Sequence, residues 1–93
     1  MTETGQITAD QIRMKIKELV ASVTEREPEE IPDNIGFREL GVDSLLGMEL
    51  MLAIDKKFKI DIPEEEFEKL LTVDEAVPVV ERYLAEASVV QGA

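Results

Sequence analysis

An all-α bundle is the fold class this sequence predicts. Apolar residues recur at helical spacing in three separate segments, and Thr-x-x-Gln or Thr-x-x-Glu caps open two of them. No segment sustains the alternation of a half-buried strand. Together these observations give a four-helix bundle: three main helices, one short helix and a long first loop. Ninety-three residues are enough for one core, so a single domain over residues 8–87 is expected, with loose polar tails at 1–7 and 88–93.

The first helix opens at Thr8-Ala9-Asp10-Gln11, a capping box in which the Thr8 hydroxyl accepts the Gln11 amide and the Gln11 side chain reaches back. Ile12, Ile16, Leu19, Val20 and Val23 follow as one apolar stripe of about three turns. Residues 24–30 form a charged exit, and Pro28 prevents continuation. Residues 28–43 contain two prolines and two glycines, with Ile31, Ile35, Phe37 and Leu40 among them. This pattern describes a long loop pinned to the core by apolar side chains, and loops of that length are usually functional.

The second helix starts at Asp43 or Ser44 and runs to about Phe58. Gly47, Leu50, Met51, Ile54 and Phe58 share its core-facing stripe, while Leu45, Met48 and Leu52 fall opposite, between Glu49, Asp55 and Lys56. Residues 59–62 read as an extended connector, and Pro63 suits the first turn of a short third helix from Glu64 to about Leu70. A second capping box, Thr72-Val73-Asp74-Glu75, opens the last helix, whose stripe is Val73, Ala76, Val77, Val80, Leu84 and Ala87. Pro78 lies past its first turn and predicts a kink or local irregularity.

Charge narrows the partners. Twenty-one acidic residues against ten basic ones leave a net charge of −11. Nucleic acid and anionic membrane surfaces should be repelled, and basic patches on other proteins are the natural counterparts. Acidity that merely keeps a small domain soluble is the bland alternative. The absence of cysteine fits a reducing, cytoplasmic setting. No apolar run approaches the roughly 20 residues needed to span a bilayer, and Met1-Thr2-Glu3-Thr4 has no basic stretch, so a chain that is not exported is expected.

The most informative segment is Phe37-Arg38-Glu39-Leu40-Gly41-Val42-Asp43-Ser44-Leu45. It sets one serine at the mouth of a helix, behind an aspartate and a glycine turn. The chain has no histidine, no G-x-S-x-G elbow and no S-x-x-K arrangement, so Ser44 has no obvious base and no catalytic residue is predicted. No calcium-loop pattern is present and histidine and cysteine ligands are missing, so no metal site is predicted. Two readings of the residues remain. Ser44 is a helix cap, a role Asp43 could equally fill. Or it is a serine displayed for another enzyme to modify.

Phe37-x-x-Leu40-Gly41-x-Asp43-Ser44-Leu45 resembles the attachment motif of acyl carrier proteins and of the carrier domains of polyketide synthases. Ile31, Glu49-Leu50, Phe58, Ile60, Ile62-Pro63 and Thr72-Val73 match further landmarks in order, so the resemblance covers residues 8–87. It implies a non-catalytic carrier whose Ser44, beside the motif residue Asp43, is esterified with 4′-phosphopantetheine from coenzyme A by a phosphopantetheinyl transferase. The terminal thiol of that arm would hold acyl intermediates as thioesters. The resemblance also implies a monomer that serves acyl or malonyl transferases, ketosynthases and related synthase enzymes with basic patches. Leu45, Met48, Glu49, Leu52 and Asp55 on the second helix are the expected interface, with Leu45 the one most exposed to coverage by Ile35 or Phe37.

Departures from the family pattern bear on subtype. Leu46 and Gly47 stand where fatty-acid carriers usually place an acidic residue, and Lys56 where another acid is common. Phe37, seven residues before Ser44, matches polyketide carriers; Ser44-Leu45-Leu46 resembles peptidyl carriers, whereas Ile62-Pro63 and Thr72-Val73 do not. A carrier for secondary metabolism or a specialised acyl pathway is the resulting expectation, against a peptidyl carrier or an acidic interaction module without prosthetic group. Glu64, Glu65, Glu66 and Glu68 read chiefly as a solvated helix start. Gly47 either leaves room for an arm or acyl chain, or accepts a close neighbour.

A charge of −11 on so small a domain means self-repulsion that added salt screens. The melting temperature is therefore expected to rise with NaCl; a steady fall would show that favourable ion pairs dominate instead.

Overall fold

The computed structural model describes the backbone of residues 7–92 and the side chains of residues 7–86. Among these, four α-helices and no strand are found: α1 (Ala9–Thr24), α2 (Ser44–Phe58), α3 (Glu64–Phe67) and α4 (Val73–Gly92). Thr8 caps α1 as its sequence predicts: Thr8 Oγ1 accepts the Gln11 N–H at 3.1 Å, and Gln11 Oε1 accepts the Thr8 N–H at 2.9 Å. No glycine ends α1. Glu25 itself takes the left-handed conformation (φ 59°), and both it and Arg26 donate backbone N–H groups to the Ala21 carbonyl. These bonds satisfy the helix end and offset the roughly 1–2 kcal/mol that a side chain costs in that conformation.

α1 is the central helix, packing against both α2 and α4. Ile12, Ile16 and Val20 join Leu50 and Ile54 of α2 and Val73, Val77 and Val80 of α4 in one buried cluster, while Leu19 and Val23 pack at its edge. The loop supplies Ile31, Phe37, Leu40 and Val42, all buried, and Ile35, partly buried. Among the described residues no polar or charged side chain is buried. The core is thus assembled by hydrophobic burial without interior ion pairs.

The long loop has more regular structure than its sequence suggested. Two single 3₁₀ turns, Pro28–Glu30 and Phe37–Leu40, divide it. Backbone bonds join it to the turn before α4 and to the first turn of α4 itself: the Phe37 N–H donates to the Leu71 carbonyl at 2.8 Å, and the Asp74 N–H donates to the Asp33 carbonyl at 2.9 Å. A half-exposed ion cluster reinforces this seam. Asp33 accepts from Arg13 at 2.6 Å and from Lys17, and Arg13 also donates to Asp74 at 2.5 Å. The Lys17 hydrogen bond, with Arg13 beside it, holds the Asp33 carboxyl below its ordinary value. Its stabilising effect is therefore full above the unfolded carboxylate value and is lost as pH falls through the lowered folded one.

Other expectations are refined. α3 is a single turn that stops at Phe67, and Pro63 sits just before it. The second capping box is half formed: Thr72 Oγ1 accepts the Glu75 N–H at 3.1 Å, but Glu75 Oε1 accepts the Leu71 N–H at 3.0 Å rather than that of Thr72. α4 passes Pro78 without interruption and continues to Gly92, beyond the expected end of the domain; the side chain of Ala87 lies outside the described residues. Of the two expected tails, residues 1–6 and 93 lie outside the described residues, while Ile7 packs against the core.

Leu50 and Ile54 are essentially inaccessible to solvent. Truncating either to Ala is expected to lower unfolding free energy by roughly 2–5 kcal/mol in urea titrations, since both a transfer loss and a cavity result. A loss well under 1 kcal/mol would contradict the packing.

Candidate functional site

The approach to Ser44 is built by backbone geometry. After the Phe37–Leu40 turn, Gly41 takes φ 99° and donates its N–H to the Arg38 carbonyl at 3.0 Å. A Cβ at Gly41 would meet nothing within 4 Å, so the positive φ alone calls for glycine here. Val42 donates back to the Phe37 carbonyl at 3.0 Å and buries its side chain. Asp43 then caps α2: its Oδ1 accepts the Leu46 N–H at 2.9 Å, and its carbonyl accepts the Gly47 N–H at 2.7 Å.

That assignment decides between the two cap candidates. Ser44 is the first helical residue, it is exposed, and among the described residues its hydroxyl has no hydrogen-bond partner. The neighbouring Asp43 carboxylate places its Oδ1 on the Leu46 N–H rather than on the serine.

A groove of about 620 Å³ opens beside Ser44, between the loop, the start of α2 and the α3 region. Phe37, Val42, Met48, Met51, Phe67 and Leu71 give it an apolar lining, and Arg38, Asp43, Glu64 and Glu68 carry its charge. A smaller cleft of about 390 Å³ shares Arg38, Val42, Asp43 and Ser44 with it. Gly47 also lines the groove. A methyl there would lie 3.7 Å from the Phe67 ring and 3.8 Å from Val42, ordinary contact distances. No close neighbour demands this glycine, so its effect is open space, at about 1 kcal/mol of helix stability relative to Ala.

Along the solvent-facing side of α2, Leu45, Met48 and Leu52 are 67%, 52% and 61% exposed, with Glu49 exposed among them, and Met48 also borders the groove. Leu45, the residue most expected to be covered, is the most open of the three, because Phe37 turns into the core and Ile35 packs at its edge. Asp55 has a different surrounding. It is half-buried, and its Oδ1 accepts the Ile62 N–H at 3.1 Å, tying the α2–α3 connector to the helix. Burial pushes the Asp55 carboxyl up, with Asp61 adding to the effect and the Ile62 hydrogen bond opposing it.

Arg38, Phe67 and Leu71 are site residues that sequence reasoning did not single out. The only signal for Arg38 was a basic residue six positions before Ser44 in an acidic chain. Phe67 and Leu71 sit on a single helical turn and the segment after it, too short for any periodicity to declare a face.

The described residues form a small helical bundle with an exposed serine at the start of its second helix. Comparison with known proteins is specific. The family described as "Phosphopantetheine attachment site" matches residues 15–77. The acyl carrier protein of Wolinella succinogenes is 45% identical over 67 residues, covering 71% of this chain and 88% of that protein. The acyl carrier protein of Rickettsia bellii is 36% identical over 75 residues, covering 80% and 93%. In fold, the chain is similar to the HMG-ACPI domain from the CurA module of Lyngbya majuscula, with TM-score 0.76 and 19% identity over 94% of this chain and 89% of that one. The mupirocin didomain ACP gives TM-score 0.65 and 20% identity, covering 86% of this chain and 42% of the other. The chain belongs to the acyl carrier protein family, a family of non-catalytic carriers with covalently attached 4′-phosphopantetheine. The site fits such a group: a free hydroxyl opens onto two clefts, one of them largely apolar.

If Asp43 is the cap and Ser44 is not, their alanine variants should separate in thermal or urea unfolding. Asp43→Ala is expected to cost about 1 kcal/mol, while Ser44→Ala stays within about 0.5 kcal/mol of the parent. Equal losses would return the cap to Ser44.

Proposed function

We propose that Ser44 is the residue esterified with 4′-phosphopantetheine by a phosphopantetheinyl transferase, and that the chain delivers thioester-bound acyl or polyketide intermediates to synthase enzymes. The observation that carries this reading is the exposed Ser44 hydroxyl, left without a partner because Asp43 takes the capping role. The arm supplies a terminal thiol, the one reactive group that a chain without cysteine lacks. Ser44 Oγ contributes the ester oxygen as its bond to phosphorus replaces the pyrophosphate bond of coenzyme A, with adenosine 3′,5′-bisphosphate as the leaving group. Among the described residues nothing is hydrogen-bonded to receive its proton, so the transferase brings the base.

The groove supports the carrier reading in a second way, since its apolar wall can shelter the arm or its cargo beside the attachment point. Phe37, Leu46, Gly47 and Lys56 favour a polyketide-type or specialised acyl carrier over a fatty-acid one. Leu45, Met48, Glu49 and Leu52 form the docking face, an exposed apolar strip suited to transient contact with acyl or malonyl transferases and ketosynthases that present basic rims. Asp55 marks the far end of that face, its carboxylate partly occupied by the connector. The chain works as a monomer in the cytoplasm; its charge of −11 disfavours nucleic acid and anionic membranes, and no helix among the described residues is long and apolar enough to cross a membrane.

Incubation with coenzyme A, Mg²⁺ and a promiscuous transferase should add one phosphopantetheinyl group by intact mass. Ser44→Ala should abolish the addition while the far-ultraviolet helical signal persists; normal loading of that variant overturns the assignment. Met48→Glu should leave melting nearly unchanged yet slow loading or acyl transfer. Unfolding as severe as that of Leu50→Ala would place Met48 in the core and remove the docking face.

A further inference from the structure

We propose that Arg38 pairs with the phosphodiester joining the arm to Ser44 and so positions the base of the arm. This rests on Ser44 being the attachment residue. Given that bond, the location of the anion follows from covalency, because the phosphorus is bonded directly to Ser44 Oγ. No affinity is needed to bring it there, and the question is which group answers its charge.

Among the described residues, Arg38 is the only basic one lining either cleft beside Ser44, and it lines both. The other charged lining residues are Asp43, Glu64 and Glu68, all acidic. Adding a phosphodiester at Ser44 thus places a further negative charge where the local field is already negative, in a chain of net charge −11. Arg38 is also available. It is exposed, and among the described residues it makes no ion pair, whereas Arg13, Lys17 and Arg82 each have a carboxylate partner. Asp43, the acid nearest in sequence to Ser44, directs its carboxylate to the Leu46 N–H instead of to Arg38.

The backbone of Arg38 is held while its side chain is free. It lies in the Phe37–Leu40 turn between two buried anchors, and its carbonyl accepts the Gly41 N–H. A planar guanidinium offers paired donors that match phosphate oxygens, which a lysine ammonium does not. The pairing therefore orders a long side chain and the first bonds of the arm without moving the fold.

The test compares apo and holo protein, with the mass of the Ser44-containing peptide first establishing loading at Ser44. Phosphorus NMR is then recorded on the holo parent and the holo Arg38→Gln and Arg38→Lys variants, each checked for unchanged helical signal. The expected result is a phosphodiester resonance that shifts in Arg38→Gln and shifts less in Arg38→Lys. In ¹⁵N-labelled protein, the Arg38 Nε–H signal should also move on loading while that of Arg26, exposed and remote in sequence, stays in place. The phosphorus difference should shrink near 1 M NaCl, where the screening length is about 3 Å. Identical phosphorus resonances in parent and Arg38→Gln overturn the pairing while leaving Ser44 as the attachment residue. Failure to load Ser44 overturns both.

Discussion

The Phe37 N–H donates to the Leu71 carbonyl, and the Asp74 N–H to the Asp33 carbonyl, so the long loop is sewn by its backbone to the start of α4 and the turn that precedes it. Backbone amides in a loop or in the first turn of a helix cannot be left unpaired near a core without large loss, and these two find partners across the molecule. Around the seam, Ile31, Phe37, Leu40 and Val42 are buried. Arg13, Lys17, Asp33 and Asp74 close its exposed edge, bringing α1 and α4 into the same connection. Gly41, Asp43 and Ser44 follow directly from this anchored segment. The direction in which Ser44 is offered to solvent is therefore a property of a stitched loop, as much as of the helix it begins.

The two faces of α2 divide the labour. Its inner face places Leu50, Ile54 and Phe58 in the core and Gly47 at the groove, its outer face leaves Leu45 and Leu52 to solvent, and Met48 borders both groove and solvent. Its charge is also polarised along its length. Asp43 lies at the start, while Lys56, Lys57 and Lys59 gather at the end, where the helix dipole favours cations. On the α3 side of the groove, the helix is one turn, steadied by the 3.1 Å pair between Glu66 and Arg82 of α4.

Local features of this fold were legible in the sequence. The Thr8 capping box, the stripe of α1, the span of α2 and the displayed Ser44 each depend on residues within a few positions of one another. What was not legible depends on tertiary meeting points. Asp33 collects cations from a helix some twenty residues earlier, and nothing in its neighbourhood announces them. Glu75 forsakes Thr72 for Leu71 because the chain bends there. Glu25 ends α1 without glycine because Ala21 accepts two bonds. The exposure of Leu45 turned on where Phe37 packs, and the freedom of Gly47 on the distance to Phe67, both outcomes of packing between separate segments.

Many functional residues sit in strained backbone or hold structural hydrogen bonds, so that chemistry on them perturbs the fold around them. Here the positive-φ positions among the described residues are Glu25, Gly41 and Lys59, and the capping bond belongs to Asp43. Ser44 has neither duty. A group placed on its hydroxyl breaks no hydrogen bond shown among the described residues, so it can add to the native contacts without first removing one.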